Sequence, residues 1–112
     1  MTQIINIHDA PLGWQETFLY VYVGRNPILC NSGPSLGYFG NPFLLDPQRP
    51  HLRGSTLRRF ETYARQRLVD DPLYREAVSN LYDKILVCHC APKACHGDVL
   101  AKLADELHEN RV

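Results

Sequence analysis

The stretch Ile85-Leu86-Val87-Cys88-His89-Cys90-Ala91-Pro92-Lys93-Ala94-Cys95-His96-Gly97-Asp98-Val99-Leu100 decides the fold. It begins as a short apolar run, which predicts a buried β-strand, and it ends with apolar residues at helical spacing. Three of the four cysteines of the chain lie between these two elements, together with two histidines and a carboxylate. No other segment concentrates so many groups that bind metal, transfer protons or act as nucleophiles. The strand-to-helix turn is therefore the candidate functional site.

Two further segments predict β-strands. Ile4, Ile5 and Ile7 indicate a short first strand near the amino terminus. Residues 17–23, Thr-Phe-Leu-Tyr-Val-Tyr-Val, are rich in aromatic and β-branched side chains, which favours a strand that is buried on both faces. Strands of that kind are typical of sheets that helices cover.

Three segments have the sequence pattern of helices. Ser55 is the expected amino-terminal cap of the first, and Asp71 followed by Pro72 begins the second. The last helix is expected from about residue 98 to residue 107. The order strand, strand, loop, helix, helix, strand, helix predicts a single α/β domain over residues 1–112. We expect a small Rossmann-like sandwich with a short, mostly parallel sheet and flanking helices.

Composition and charge exclude several classes of protein. Twelve basic and twelve acidic residues give a net charge of zero, so no overall field directs the chain to nucleic acid or to a membrane. No apolar run approaches the roughly 20 residues that a membrane span needs, and the amino terminus lacks the features of a signal peptide. We therefore expect a cytoplasmic protein whose cysteines stay reduced.

Polar groups from distant parts of the chain are expected at one edge of the sheet, because α/β sheets bind ligands beyond the carboxyl ends of their strands. Arg25 follows the second strand, and residues 88–98 follow the third. The proline- and glycine-rich loop of residues 26–54 is unusually long for a small domain, and such loops are often functional. The expected ligand-binding residues are Arg25, Gly40, Asn41, Pro42, Phe43, Cys90 and Gly97.

The cysteine–histidine cluster has three interpretations. The first is a structural zinc site of three cysteines and one histidine, although the spacing is unusual for paired ligands; its ligands would be Cys88, Cys90, Cys95 and His96. The second is a set of catalytic residues at the start of a helix, where free N–H groups and the helix dipole attract an anion and lower the pKa of a cysteine. There Cys95 is the nucleophile, and His96 or Asp98 transfers protons. The third is that the cysteines are buried core residues.

The residue types at this edge favour a nucleotide-like ligand. An arginine and a helix amino terminus together suit a phosphate or a carboxylate. Asn41 offers the donor and acceptor that a base requires. Tyr38, Phe39 and Phe43 offer stacking surfaces, although aromatic residues after a glycine turn are also common in cores. The leading hypothesis is a protein that binds a nucleotide or a modified base, and acts on it by group transfer or hydrolysis.

The alternative hypothesis is a non-enzymatic module, either zinc-stabilised or metal-free, that binds a protein or a nucleic acid. Its contact surface would be residues 49–67, which carry six arginines against one glutamate. Such an excess of positive charge suits a phosphate backbone, but a solvated helix face is the commoner explanation. The arginines are Arg49, Arg53, Arg58, Arg59, Arg65 and Arg67.

Three motifs together resemble a known family. They are Tyr22-Val23-Gly24-Arg25, Gly40-Asn41-Pro42-Phe43, and the pattern Cys-x-Cys-x-Pro-x-x-Cys-His-Gly-Asp over residues 88–98. In combination they are similar to small bacterial and phage proteins known as domain of unknown function 4326, over residues 18–107. The resemblance implies a fold and a motif set, but no reaction. In that family an aromatic residue, often tryptophan, usually stands where this chain has His89, and the loop between residues 25 and 40 is usually shorter.

Overall fold

Three parallel strands form the sheet in the described part of the chain. The computed structural model describes residues 1–24, 29, 31, 38–40, 53–89 and 95–110. Its strands are β1 (Gln3–Asn6), β2 (Tyr20–Tyr22) and β3 (Ile85–Cys88). β3 is central, and both of its neighbours pair with it in parallel. All three strands therefore end at the same edge of the sheet, which we call the carboxyl edge.

Helices pack against one face of this sheet. The described helices are α1 (Arg53–Asp70), α2 (Pro72–Ser79) and α3 (His96–His108). Their buried side chains form one core with side chains from β2 and β3. That core includes Leu100 and Leu103 of α3 and Phe60 of α1, each without exposed surface. Full burial of such a side chain contributes about 1.5–3 kcal/mol to stability.

In the described part of the chain, the opposite face of the sheet packs against the segment between β1 and β2 rather than against α-helices. Tyr22 and Val87 alternate with the helix-facing residues of their strands, and both are buried. The chain between β1 and β2 forms two short 3-10 turns, Ile7–Asp9 and Trp14–Glu16. The ring of Trp14 lies 6.4 Å from the ring of Tyr22, between centroids. The segment between β1 and β2 therefore helps to cover this second face.

Local signals in the sequence place the second helix correctly. Asp71 Oδ1 accepts hydrogen bonds from the backbone N–H groups of Leu73 at 3.1 Å and Tyr74 at 3.2 Å. Pro72 stands at the first helical position, where a missing N–H costs nothing. Arg67 Nε also donates to Asp71 Oδ2, which ties the end of α1 to the start of α2. The predicted cap is confirmed.

The expected boundaries of β1, α1 and β2 are wrong. β1 ends at Asn6, and Ile7 begins a 3-10 turn. α1 begins at Arg53, so Ser55 lies within the helix. β2 has only three residues, because β3 begins at Ile85 and leaves the earlier residues no strand to pair with. Phe18, which the sequence predicts in a buried strand, is 90% exposed.

The predicted α/β fold is confirmed, with a parallel sheet and helices as its described elements. The radius of gyration of 13.3 Å is close to the roughly 13 Å typical of a folded chain of about 100 residues. None of the helices in the described ranges combines the length and the apolar character that crossing a bilayer demands.

Candidate functional site at the carboxyl edge of the sheet

Cys95 and Asp98 form a capping box at the amino terminus of α3. Cys95 is the amino-terminal cap, with an extended backbone (φ −147°, ψ 171°). Its N–H donates to Asp98 Oδ2 at 2.9 Å, and the N–H of Asp98 donates to the Cys95 carbonyl at 3.0 Å. Asp98 is therefore the third helical residue, rather than the first as the sequence predicts. Its exposed carboxylate lies in the first turn, where the helix dipole favours negative charge.

The thiols of Cys88 and Cys95 join the end of β3 to the start of α3. The Cys95 S–H donates to the Cys88 sulfur across 3.4 Å, and both residues are buried. The hydrogen bond with Cys88, followed by burial, raises the pKa of the Cys95 thiol. The expectation that the helix amino terminus lowers this pKa is wrong, because the neighbouring thiol and the loss of water outweigh the dipole. Catalysis by Cys95 as a nucleophile stays a prediction.

His96 fastens the first turn of α3 to the end of β2. Its Nε2 lies 2.5 Å from the Val23 carbonyl oxygen. Because a carbonyl only accepts, Nε2 carries the proton and donates. The imidazole also meets the ring of Phe60 edge-on, with centroids 5.3 Å apart. This nitrogen therefore has a structural partner in the described state.

Gly97 allows α3 to approach β1 closely. A Cβ atom at this position would lie 2.2 Å from Ile4 Cδ1 and 3.4 Å from the Cys95 sulfur. No side chain fits there unless Ile4 moves. The glycine of the Cys-His-Gly-Asp motif thus serves helix–strand packing in the described structure. A direct contact with ligand stays a prediction.

A second cluster lies on the other face of the carboxyl edge, around His89. The Tyr22 hydroxyl lies 3.0 Å from His89 Nε2, and the two rings meet edge-on with centroids 5.7 Å apart. Asn6 Nδ2 donates to the His89 carbonyl at 3.2 Å. Tyr22 and Asn6 are the last residues of β2 and β1, and His89 directly follows β3. The last residues of both outer strands therefore contact one residue beyond the central strand.

The contact of Tyr22 with His89 was not predicted from the sequence, and neither was the position of the Tyr22 hydroxyl against the backbone of Gly24. A Cβ atom on Gly24 would lie 2.2 Å from the Tyr22 hydroxyl oxygen. A tyrosine followed two residues later by a glycine, at the end of a strand, is the sequence pattern that could have indicated this close approach. Side chains lean along a strand, so a long ring can reach the backbone two residues on. The signal is weak, because many strands end in glycine.

Several predicted site residues lie outside the described residues, so their places at the edge stay predictions. They are Arg25, Asn41, Pro42, Phe43 and Cys90. Gly40 is described and follows Tyr38 and Phe39. The sequence allows two roles for Tyr38 and Phe39, as stacking surfaces for a ligand or as core residues, and their contacts in the structure are those of core residues. Phe39 is 3% exposed, and Tyr38 packs against the rings of Phe39 and Tyr74.

The proposed zinc ligands are only partly brought together. The sulfurs of Cys88 and Cys95 are 3.4 Å apart, slightly closer than the about 3.8 Å expected for two thiolates on a tetrahedral zinc with 2.3 Å bonds. His96 Nε2 is engaged by the Val23 carbonyl. Within the described ranges, no three histidine, cysteine, aspartate or glutamate side chains are grouped to hold a metal ion. Cys90, the fourth ligand of the set, lies outside those ranges.

The arginine-rich segment is partly neutralised within the fold. Arg65 donates to Glu61 at 2.8 Å and to Glu106 of α3 at 2.9 Å. Arg67 pairs with Asp71 at 3.2 Å and lies 4.6 Å and 4.2 Å from the ring centroids of Tyr38 and Tyr74. These two guanidinium groups hold helices together, which reduces the positive charge that α1 offers to a phosphate backbone.

Comparison with known proteins identifies a family. The sequence model described as domain of unknown function (DUF4326) matches residues 7–106, which is most of the chain. No curated protein and no solved structure matches the chain. The resemblance that the sequence motifs indicate is confirmed. The chain belongs to the DUF4326 family.

Proposed function

We propose that the protein binds a nucleotide or a modified base at the carboxyl edge, between the end of β2 and the first turn of α3. The observation that carries this proposal is the hydrogen bond between His96 Nε2 and the Val23 carbonyl. It brings the end of one parallel strand against the amino terminus of a helix. Ligands of open α/β sheets bind beyond such strand ends.

The electrostatics of this edge support a ligand with an anionic group. The amino terminus of α3 carries the partial positive charge of the helix dipole. Arg25 follows Val23 by two residues in the sequence, and two residues span at most about 7 Å. The proposal therefore includes Arg25 as a ligand-binding residue beside this helix terminus. A guanidinium and a helix amino terminus together bind phosphate well.

Asp98 narrows the class of ligand. Its carboxylate repels a bare anion, and one oxygen already accepts from the Cys95 N–H. The exposed carboxylate suits a ligand that also carries hydroxyl or amino donors, such as a ribose or a base. A ligand that combines donors with an anionic group is nucleotide-like. This chemistry supports the nucleotide-directed hypothesis over a bare carboxylate or phosphate.

Group transfer or hydrolysis would depend chiefly on Asp98. Cys95 is buried with a raised thiol pKa, so it holds its proton at neutral pH. The Nε2 of His96 is committed to Val23. The exposed Asp98 carboxylate is the group best placed for general-base catalysis, with His96 as the second candidate. In a cytoplasmic location the buried Cys88 and Cys95 thiols would stay reduced.

The experiment is a thermal-shift screen against nucleosides, nucleoside mono-, di- and triphosphates and nucleotide sugars. A bound ligand stabilises the folded state by mass action, so we expect at least one nucleotide to raise the melting temperature of the wild type. Asp98→Asn and Arg25→Ala should abolish the shift. Matched controls are Asp70→Asn and Arg58→Ala, which change exposed residues of α1. If no nucleoside or nucleotide stabilises the wild type, the proposal fails.

The short distance between the sulfurs of Cys88 and Cys95 favours a second candidate function, a zinc-stabilised interaction module. Elemental analysis of protein purified without chelator distinguishes the two. The zinc candidate requires one zinc per chain, with loss of both metal and fold in Cys95→Ser, and that result would end the catalytic proposal. Nucleic acid binding through residues 49–67 belongs to this candidate and predicts an affinity that falls steeply with salt.

A further inference from the structure

We infer that His89 presents its Nδ1–H group to the phosphate of the ligand, and that Tyr22 is the positioning residue that sets this donor. The inference rests on the proposed function and deepens it. It names a ligand contact on the face of the sheet opposite α3. A phosphate at the tip of the carboxyl edge would then be contacted from both sides, by Arg25 and the amino terminus of α3 on one side and by His89 on the other.

The position of His89 is the first step. Its backbone follows the last residue of the central strand, and its carbonyl accepts from Asn6 at the end of β1. Its ring is held by Tyr22 at the end of β2. The residue is thus fixed from both neighbouring strands, at the edge where sheets of this kind bind ligands.

The combination of exposure and order is the second step. The side chain of His89 is exposed, yet the Tyr22 hydroxyl fixes the direction of its ring at 3.0 Å. Holding an exposed side chain in one rotamer costs conformational entropy. A ligand that meets an already ordered group is spared that loss, which is how preorganised sites gain affinity.

Tyr22 cannot easily turn away, and this is the third step. The residue is 1% exposed, and its hydroxyl lies so close to the backbone of Gly24 that a Cβ atom there would sit 2.2 Å away. Gly24 thus leaves space that the hydroxyl occupies. A buried ring with its tip against the backbone holds His89 more rigidly than a surface side chain could.

The direction of the hydrogen bond is the fourth step. A phenol hydroxyl is a stronger donor than a neutral imidazole N–H, and an imidazole nitrogen is a stronger acceptor than a phenol oxygen. Tyr22 therefore donates to Nε2, and the ring proton resides on Nδ1. An N–H donor at the edge suits an acceptor oxygen, and the anionic phosphoryl oxygen is the strongest such acceptor on a nucleotide.

The tautomer can be tested without a ligand. Long-range proton–nitrogen NMR spectra of protein with nitrogen-15-labelled histidine should show His89 in the Nδ1–H form. In Tyr22→Phe the signal should move toward the Nε2–H form that predominates in free histidine. A merely structural role for Tyr22 would not produce this change. A wild-type His89 ring in the Nε2–H form overturns the inference and leaves the proposed function standing.

The ligand contact is tested by calorimetric titration with the common nucleoside 5′-monophosphates and the matching nucleosides. We expect His89→Phe to weaken nucleotide binding about tenfold, as for a lost hydrogen bond to a charged acceptor, and to leave nucleoside binding unchanged. His89→Leu, which also lacks a donor, serves as a second variant should His89→Phe fold poorly. His108→Phe is the matched control, because that exposed histidine lies at the far end of α3 and stacks on Tyr82.

The outcomes are distinct. Wild-type affinity for the nucleotide in both His89 variants overturns the inference while the proposed function holds. An equal loss for nucleoside and nucleotide overturns the assignment of the contact to the phosphate. Absence of binding by the wild type overturns the proposed function, and the ligand role of His89 with it, whatever the tautomer proves to be.

Discussion

His96 Nε2 donates to the carbonyl oxygen of Val23 and so fastens the first turn of α3 to the end of β2. The two residues are 73 positions apart in the sequence. Their contact unites the Val-Gly-Arg segment with the Cys-His-Gly-Asp motif at one edge of the sheet. Each of these segments belongs to a different element, so the candidate site exists only in the folded protein.

Loss of the His96 side chain should destabilise the fold. His96→Ala leaves the Val23 carbonyl without this donor and removes the ring that packs against Phe60. We expect a decrease of about 1–3 kcal/mol in the free energy of unfolding. Urea denaturation followed by circular dichroism measures it. His96→Gln keeps a donor and should recover part of the loss; equal stability of His96→Ala and wild type would show that the bond contributes nothing.

Gly97 should be replaced at lower cost when Ile4 becomes shorter. In Gly97→Ala the new methyl group meets Ile4 Cδ1 at 2.2 Å, and because that carbon is the free end of a flexible side chain, we expect a cost at the lower end of the about 1–3 kcal/mol typical of overpacking. Ile4→Val removes Cδ1, and the next atom, Ile4 Cγ1, is an acceptable 3.4 Å away. The double variant should therefore be more stable than the Gly97→Ala single variant. A double-mutant cycle measures the coupling, and additive effects would argue against the contact.

The thiol of Cys95 should make stability depend on alkaline pH. Its pKa is raised in the folded state by the hydrogen bond with Cys88 and by burial, whereas an unfolded cysteine titrates near about 8.5. Above that pH the unfolded chain loses a proton that the folded chain retains, so deprotonation favours unfolding. The stabilisation is complete below about pH 8.5 and declines as the pH rises further.

Denaturation curves between pH 7 and pH 10 test this dependence. Cys95→Ala should show a shallower decline in the free energy of unfolding than the wild type. Native protein should also react slowly with iodoacetamide at Cys95, and fast in urea, as peptide mass spectrometry would show. Rapid alkylation of Cys95 in the native state would instead reveal an accessible thiolate and restore the case for a nucleophile.

The buried hydroxyl of Tyr74 should lower the free energy of unfolding rather than raise it. Tyr74 is 1% exposed, and its hydroxyl has no hydrogen-bond partner within the described structure. Burial raises the pKa of this phenol, which therefore remains neutral. Because an unsatisfied buried hydroxyl costs about 1–3 kcal/mol, Tyr74→Phe should match or exceed the wild type in stability.

Tyr63→Phe is the matched comparison for this prediction. The Tyr63 hydroxyl accepts a hydrogen bond from Arg67 at 2.9 Å, so its removal should lower the free energy of unfolding by about 1 kcal/mol. The same denaturation experiment measures both variants. A Tyr74→Phe protein less stable than Tyr63→Phe would indicate that the Tyr74 hydroxyl has a partner in solution.

Local signals in the sequence determined much of the fold. The apolar run at residues 85–88 predicts a strand, and β3 has these bounds. Asp71 and Pro72 begin α2 as predicted, because a cap depends on hydrogen bonds within one turn of chain. The last helix begins at His96, two residues before the predicted start, since a cysteine is not a usual cap.

Only the tertiary structure decided how the candidate site is built. The short length of β2 depends on where β3 begins, and the raised pKa of Cys95 depends on burial against Cys88. The contact between Tyr22 and His89 joins residues 67 positions apart. Caps and apolar periodicity are properties of neighbouring residues, so a sequence displays them directly. Burial, thiol pairing and cross-strand contacts arise from packing between distant segments, and their energies exist only once the sheet has formed.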